Sequence, residues 1–190
     1  RGVYVPRHHS EHLARRAAQV LPARGTAVDI CCGSGAIAMA IARQRPRARV
    51  VGADDDADAV ACARSNGVEA YAGDLFEPLP AELADHADVV VGVVPYVPTG
   101  ALGLLQRDTF AFESVRPYDG GPDGGDVLRR VAEGARHQLS PGGALLLELG
   151  DPQLEALAGH LEGLGYLVGQ PIVDSEGDVR GIEATWASPE

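Results

Sequence analysis

The chain has no lysine: all 16 of its basic residues are arginine. Composition of this kind reads as a genome signature, but it removes any mechanism built on a lysine amine. The Tyr-x-x-x-Lys pair expected of many nicotinamide oxidoreductases is therefore absent. Cysteine is also scarce. Cys31, Cys32 and Cys62 have no metal-ligand spacing, and adjacent cysteines rarely pair with each other, so they read as small buried hydrophobes in a reducing compartment, the cytoplasm. No metal site is expected. Positive charge is in deficit, with a net charge of −11, which argues against a nucleic-acid surface because phosphate binding needs clustered cations. The longest apolar run, Val89 to Val94, is far short of a membrane span, and no signal peptide is visible. The first residue is Arg1 rather than Met, which fits a fragment or a trimmed front.

What is present is ordinary for a globular fold. The 190 residues predict one domain with an ample core, and 24 glycines with 13 prolines fit many short connections. The chain is organised around Ala27-Val28-Asp29-Ile30-Cys31-Cys32-Gly33-Ser34-Gly35-Ala36-Ile37-Ala38. An apolar run leads to an acid, then to small residues, then to a helical pattern. This predicts a buried strand turning tightly into a helix, with Gly33 and Gly35 allowing backbone angles that a side chain would oppose. Such a turn holds nucleotide-like ligands. Gly33-x-Gly35-x-x-Ala38, with Asp54 about 20 residues on, also fits a dinucleotide fingerprint, which alone is a weak signal.

Three acids narrow the ligand. Asp29 stands before the glycines, where it would repel a phosphate but suit a cationic or hydroxyl-bearing group. Asp54 ends a second strand-like run and is placed to accept hydrogen bonds from two ribose hydroxyls. Asp74 follows a third run, Val68 to Gly73, and could take an adenine amino group. Each acid alone reads equally well as a helix cap or turn former. At three successive strand ends they describe a ligand with an ammonium, a ribose and an adenine but no phosphate. S-adenosyl-L-methionine has those parts.

Periodicity predicts the order of elements. Ser10 is expected to cap a helix from Glu11 to about Leu21, with Leu13, Ala17 and Leu21 as its buried stripe. Strand and helix then alternate through strands ending near Asp54, Gly73 and Val94, with Asn66-Gly67 as a left-handed helix end. The Pro- and Gly-rich segment from Pro95 to about Asp123 is the longest irregular part, a length that usually serves function. A helix from Asp126 to Leu139, a strand from Ala144 to Leu149 and a helix opened by Pro152 follow. Two closing strands, Tyr166–Val173 and Gly181–Ala187, leave no room for a crossover helix and must be antiparallel. The predicted fold is α/β and Rossmann-like: a seven-stranded, mostly parallel sheet with an antiparallel last strand and helices on both faces. His8, His9 and His12 gather near the front, either as exposed residues at a helix start or with a general base among them.

Taken together, the glycine turn, Gly52-Ala53-Asp54, Gly73-Asp74-Leu75-Phe76 and Leu139-Ser-Pro-Gly-Gly143 resemble class I S-adenosylmethionine-dependent methyltransferases. More narrowly the chain resembles the HemK/PrmC family, the glutamine N5-methyltransferases of peptide-chain release factors. That match is carried by Gly2-Val-Tyr-Val-Pro-Arg7, Glu113 with Gly120-Gly-Pro-Asp-Gly124, Asp126-Val-Leu-Arg-Arg130 and Leu145-Leu-Leu-Glu-Leu-Gly150. The resemblance implies a cofactor site of Asp29, Cys31, Gly33, Gly35, Asp54, Asp55, Asp74 and Leu75. It implies substrate contacts at Tyr4, Pro6, Arg7 and Glu113. Bilobal members also carry an N-terminal helical substrate domain, expected to be missing here, so that partner recognition is reduced or borrowed.

The family's Asn-Pro-Pro-Tyr appears here as Val93-Val94-Pro95-Tyr96, the implied catalytic segment. In the family the Asn side chain and the first Pro carbonyl accept hydrogen bonds from the substrate amide, orienting its nitrogen toward the methyl group. Val93 has no such acceptor, and one lost hydrogen bond of this kind costs about 1–3 kcal/mol. The expected partner is therefore either a release factor or a small molecule with an N or O acceptor. A non-catalytic cofactor-binding homologue and a nicotinamide oxidoreductase are the competing classes.

Overall fold

Val89, Val90 and Val91 are at most 1% exposed, and they lie on the strand at the middle of the sheet. The computed structural model describes residues 3–105 and 115–187. A helix, α1 (Ser10–Val20), leads into β1 (Thr26–Ile30), α2 (Ala36–Gln44), β2 (Arg49–Asp54), α3 (Ala57–Ser65) and β3 (Glu69–Ala72). The chain continues through β4 (Ala87–Gly92), α4 (Asp126–Ala135), β5 (Leu139–Glu148) and α5 (Asp151–Gly163), and closes with β6 (Tyr166–Val168), β7 (Ile172–Val173) and β8 (Val179–Trp186). The spatial order is β3-β2-β1-β4-β5-β8-β6, with β7 paired to β8 off that path. Strands β1 to β5 pair in parallel, and β8 runs antiparallel to β5, β6 and β7.

Alternation along the strands separates two apolar layers. Val28, Ile30, Val90, Leu145 and Leu147 point toward Leu128 and Val131 of α4 and Leu157 and Leu161 of α5. Ala27, Val89, Val91 and Leu146 point the other way, toward Leu13, Ala17 and Leu21 at α1 and Ile41 of α2. The expected α1 stripe is thus the buried one. A strand covered on both faces needs apolar residues at every position, which is why β4 reads as a continuous run. Asn66 ends α3, and Gly67 follows with φ +89°, the left-handed end expected there.

Three local expectations are corrected. Ser10 does not cap α1: His9 holds that position, and Ser10 is the first helical residue, buried, its hydroxyl without a hydrogen-bond partner among the described residues. The backbone carbonyls of Arg7, His8 and His9 already accept from the amides of Ser10, Glu11 and His12, leaving a side-chain cap little to do. Helix α4 stops at Ala135 rather than Leu139. The amide of Ala87 donates to the Gln138 carbonyl at 2.8 Å, drawing Leu139 into register with β4, and the pairing then jumps to Val89↔Ala144. Ser140 to Gly143 is the slack in that jump. The run Tyr166–Val173 is two strands, so the sheet has eight; Pro171 lacks the amide a continuous strand would need.

The irregular segment after β4 is stitched at its base. Val97 donates to the Tyr118 carbonyl at 2.9 Å, and Gly120 donates back to the Val97 carbonyl at 2.9 Å. This brings Tyr118 beside the end of β4.

Candidate active site

The parallel strands end on one side of the sheet, and the acids stand there. Asp29, one residue from the end of β1, is 1% exposed, and its Oδ2 accepts from the Ala38 amide at 3.0 Å. That amide belongs to the first turn of α2, so a buried carboxylate is held at a helix N-terminus. Burial pushes the Asp29 carboxyl up to about 7; the Ala38 amide opposes this and the charge of Asp54 adds to it. Between β1 and α2 the chain passes through Cys31 (φ 58°), Gly33 (φ 54°) and Gly35 (φ 78°). Cys31 is not glycine, and with Leu75 (φ 48°) it is one of three such left-handed residues among those described. Strained backbone of this kind collects at functional sites.

Asp54 ties the turn to β2. Its Oδ2 accepts from the Gly33 amide at 2.8 Å and its Oδ1 from the Asp56 amide at 3.0 Å. Burial raises its pKa, and those two amides work against the rise. Each oxygen keeps lone-pair capacity for a further donor.

A cavity of about 670 Å³ opens over these strand ends, within the usual range for small-molecule sites. Asp29, Cys31, Gly33, Asp54, Asp55, Asp74 and Leu75 line one part of it. Val93, Val94, Pro95, Tyr96 and, from the N-terminal segment, Tyr4, Pro6 and Arg7 line another. A Cβ built on Gly33 would meet no protein atom within 4 Å. The space it would occupy belongs to the cavity. Burial pushes the thiols of Cys31 and Cys32 up, with the neighbouring acids adding to the effect, which disfavours their thiolate forms.

The second part of the wall is aromatic and hydrogen-bonded. Arg7 donates from Nη2 to the Tyr118 hydroxyl at 2.7 Å and stands 5.1 Å above the Tyr4 ring. Tyr4 meets Tyr118 edge-on at 5.5 Å. The Tyr96 hydroxyl donates to Glu148 Oε1 at 3.2 Å, and His9 Nε2 lies 3.2 Å from the same oxygen. Glu148, at the end of β5, is 1% exposed.

Comparison with known proteins fits this geometry. Residues 10–91 match the family model for the methyltransferase small domain. A release factor glutamine methyltransferase of Geobacter sulfurreducens is 37% identical over 170 residues, covering 86% of this chain and 59% of that protein. One from Bordetella pertussis is 36% identical over 189 residues, covering 95% of this chain and 67% of that protein. The chain belongs to the release factor glutamine methyltransferase family. It spans little more than half the length of most of the curated relatives it matches. A ribosomal protein L11 methylase of Lactobacillus delbrueckii shares the fold, with a TM-score of 0.66, 14% identity and coverage of 94% of this chain and 78% of that one.

Three family positions sit differently from what the sequence suggests. Gly35 does not line the cavity; it lies behind the turn, where a Cβ would come within 2.7 Å of Val68 Cγ2, so it sets how closely α2 approaches the neighbouring layer. Asp74 reaches the cavity already paired, its Oδ2 accepting from Arg130 Nη2 at 2.6 Å, and Asp55 is likewise paired with Arg116. Glu113 lies outside the described residues. Sequence reasoning missed two residues here, Tyr118 and Glu148; of the front histidines, read as exposed or as holding a general base, His9 is the one on the cavity wall among the described residues. For Glu148 a signal exists, since it ends the apolar run Leu145–Leu147 just as Asp29 and Asp54 end theirs.

Proposed function

We propose that this chain moves a methyl group from S-adenosyl-L-methionine to the side-chain nitrogen of a protein glutamine, with a release factor as the partner. One observation carries the reading: acids from three neighbouring strand ends and the segment Val93–Tyr96 face a single cavity. The cofactor supplies a methyl carbon made electrophilic by the positive sulfur to which it is bonded. Asp29 would hold the ammonium, Asp54 the ribose hydroxyls, and Asp74 with Leu75 the adenine. A cavity wall rich in carboxylates attracts such a cation before contact. The Val94 carbonyl would orient the acceptor nitrogen and Tyr96 would wall it, while Tyr4, Pro6 and Arg7 form the outer contact surface. The chain is read as one methyltransferase domain, and its free thiols fit the reducing cytoplasm.

A second reading is favoured by Val93. It lines the cavity without a side-chain acceptor, and this suits a small molecule with an N or O nucleophile. Incubation of isotopically labelled cofactor with purified release factor and, separately, with cell extract separates the two. Label in the release factor at glutamine supports the proposal, and label confined to the small-molecule fraction overturns the glutamine assignment. Val93→Asn should raise transfer to a glutamine peptide by roughly one to two decades. Calorimetry showing micromolar binding of NAD and none of S-adenosylmethionine would reject both readings.

A further inference from the structure

We propose that His9 is the proton acceptor of this site and that Glu148 is the positioning residue that holds it. The assignment places the methyl acceptor among nitrogen or oxygen nucleophiles that carry a hydrogen. It rests on the methyl-transfer reading above.

Among the described residues, His9 is the one histidine on the cavity wall. Its Nε2 lies 3.2 Å from Glu148 Oε1, an oxygen that also takes the Tyr96 hydroxyl at 3.2 Å. A carboxylate oxygen only accepts, so beside an ionised Glu148 the favoured tautomer has its hydrogen on Nε2 and a lone pair on Nδ1. A buried acid that fixes an imidazole in one tautomer, leaving the other nitrogen basic, is the arrangement by which a histidine takes a proton during catalysis. Glu148 is 1% exposed and its Oε2 is buried without a hydrogen-bond partner among the described residues. Its place there is explained by the pair it serves. The His9 side chain is 38% exposed, which gives a captured proton a route to water.

The other groups nearby are poor candidates. Asp29 and Asp54 are committed to backbone amides on the cofactor side. Burial and the charge of Glu148 hold Tyr96 in its protonated form. In the step itself the acceptor atom bonds to the methyl carbon as the carbon–sulfur bond breaks. Sulfur keeps that electron pair and becomes a neutral thioether. The acceptor's hydrogen passes as a proton to His9 Nδ1, and the imidazolium so formed faces Glu148.

Two measurements on the full chain test this. The first uses ring-¹⁵N-histidine spectra, with the His9 signal assigned by its loss in His9→Gln. The expected result is hydrogen on Nε2 and a bare Nδ1, with this preference lost in Glu148→Gln. Hydrogen on Nδ1, or a spectrum indifferent to Glu148→Gln, overturns the proposal. The second follows labelled transfer to a one-glutamine synthetic peptide and to tyramine across pH. The charged and titratable groups around His9 are Glu148 of β5, Tyr96 after β4, and Arg7, His8, Glu11 and His12 on its own segment. Arg180 of β8 and Tyr4 act through Tyr96. His9→Gln should lower kcat about 10²- to 10⁴-fold, abolish the acid limb of kcat at saturating cofactor and leave calorimetric cofactor affinity within about twofold. Wild-type rate and profile in His9→Gln overturn the inference while leaving the methyl-transfer reading intact. Absence of cofactor binding overturns that reading instead, and the ring spectra decide the His9–Glu148 pairing whether or not either probe is methylated.

Discussion

Lowering the pH tests the acid at the end of β1. The Asp29 carboxyl is pushed up to about 7 by burial, so it is roughly three-quarters ionised near pH 7.5 and roughly one-tenth ionised near pH 6 in the free protein. An ammonium bound beside it requires the ionised form, and apparent affinity scales with the competent fraction. S-adenosylmethionine should therefore bind about eightfold more weakly at the lower pH, a loss of about 1.2 kcal/mol. The amino group of the ligand stays largely protonated across this window, since α-amino groups titrate at about 7.7–8.0. Calorimetry in buffers of different ionisation enthalpy should show proton release near pH 7. The same shift sets a stability trend. The folded state holds this proton more tightly than the unfolded chain, so the free protein loses stability as pH rises from about 4 to about 7. Asp29→Asn should flatten the acid limb of binding, weaken affinity at pH 7.5 and raise the apo Tm there, by up to about 4 kcal/mol of stability, with little effect near pH 4. An affinity constant from pH 6 to 7.5, or an equal slope in Asp29→Asn, would refute the placement of the ammonium on Asp29.

Asp54→Ala leaves the Gly33 and Asp56 amides without their acceptor and should cost about 1–3 kcal/mol of cofactor affinity; unchanged calorimetric affinity would remove the ribose from Asp54. Gly35→Ala combines φ 78° with a 2.7 Å approach to Val68 and should lower stability in urea unfolding by about 1–3 kcal/mol. Arg130→Ala breaks an exposed pair, so stability should change by less than about 1 kcal/mol. Because it frees Asp74, cofactor binding should hold or tighten, and weaker binding would mean that Arg130 itself contacts the ligand.

The sheet was legible because its strands announce themselves: β1, β2 and β4 each carry a run of small and branched apolar residues, and each stops at a polar or glycine-bearing turn. The acidic side of the cavity was legible for the same reason, since Asp29 and Asp54 interrupt those runs. What escaped is what depends on partners far along the chain. The end of α4 is set by Ala87, about fifty residues upstream, which claims the Gln138 carbonyl. The pairing of Asp74 with Arg130 spans 56 residues, and no local pattern joins them. The choice of His9 over His8 and His12, and of a base over an exposed residue, was not legible because all three have polar neighbours. Only the parallel packing of β4 against β5 brings Tyr96 and Glu148 to His9.

The acids around the cavity divide by how their charge is met, and the division bears on binding. Asp29 and Asp54 are satisfied by backbone amides of the α2 start and the adjoining turns. Asp55 and Asp74 are met by arginine side chains from the far wall. An amide carries only a partial charge and cannot be displaced without unfolding the turn, so the first pair keeps most of its attraction for a cation and is already oriented. The arginine pairs are exposed, worth little, and exchangeable. A cationic nucleoside would thus be held first at the rigid acids and would compete with arginine only at its adenine end, where replacing one hydrogen-bond donor by another costs least.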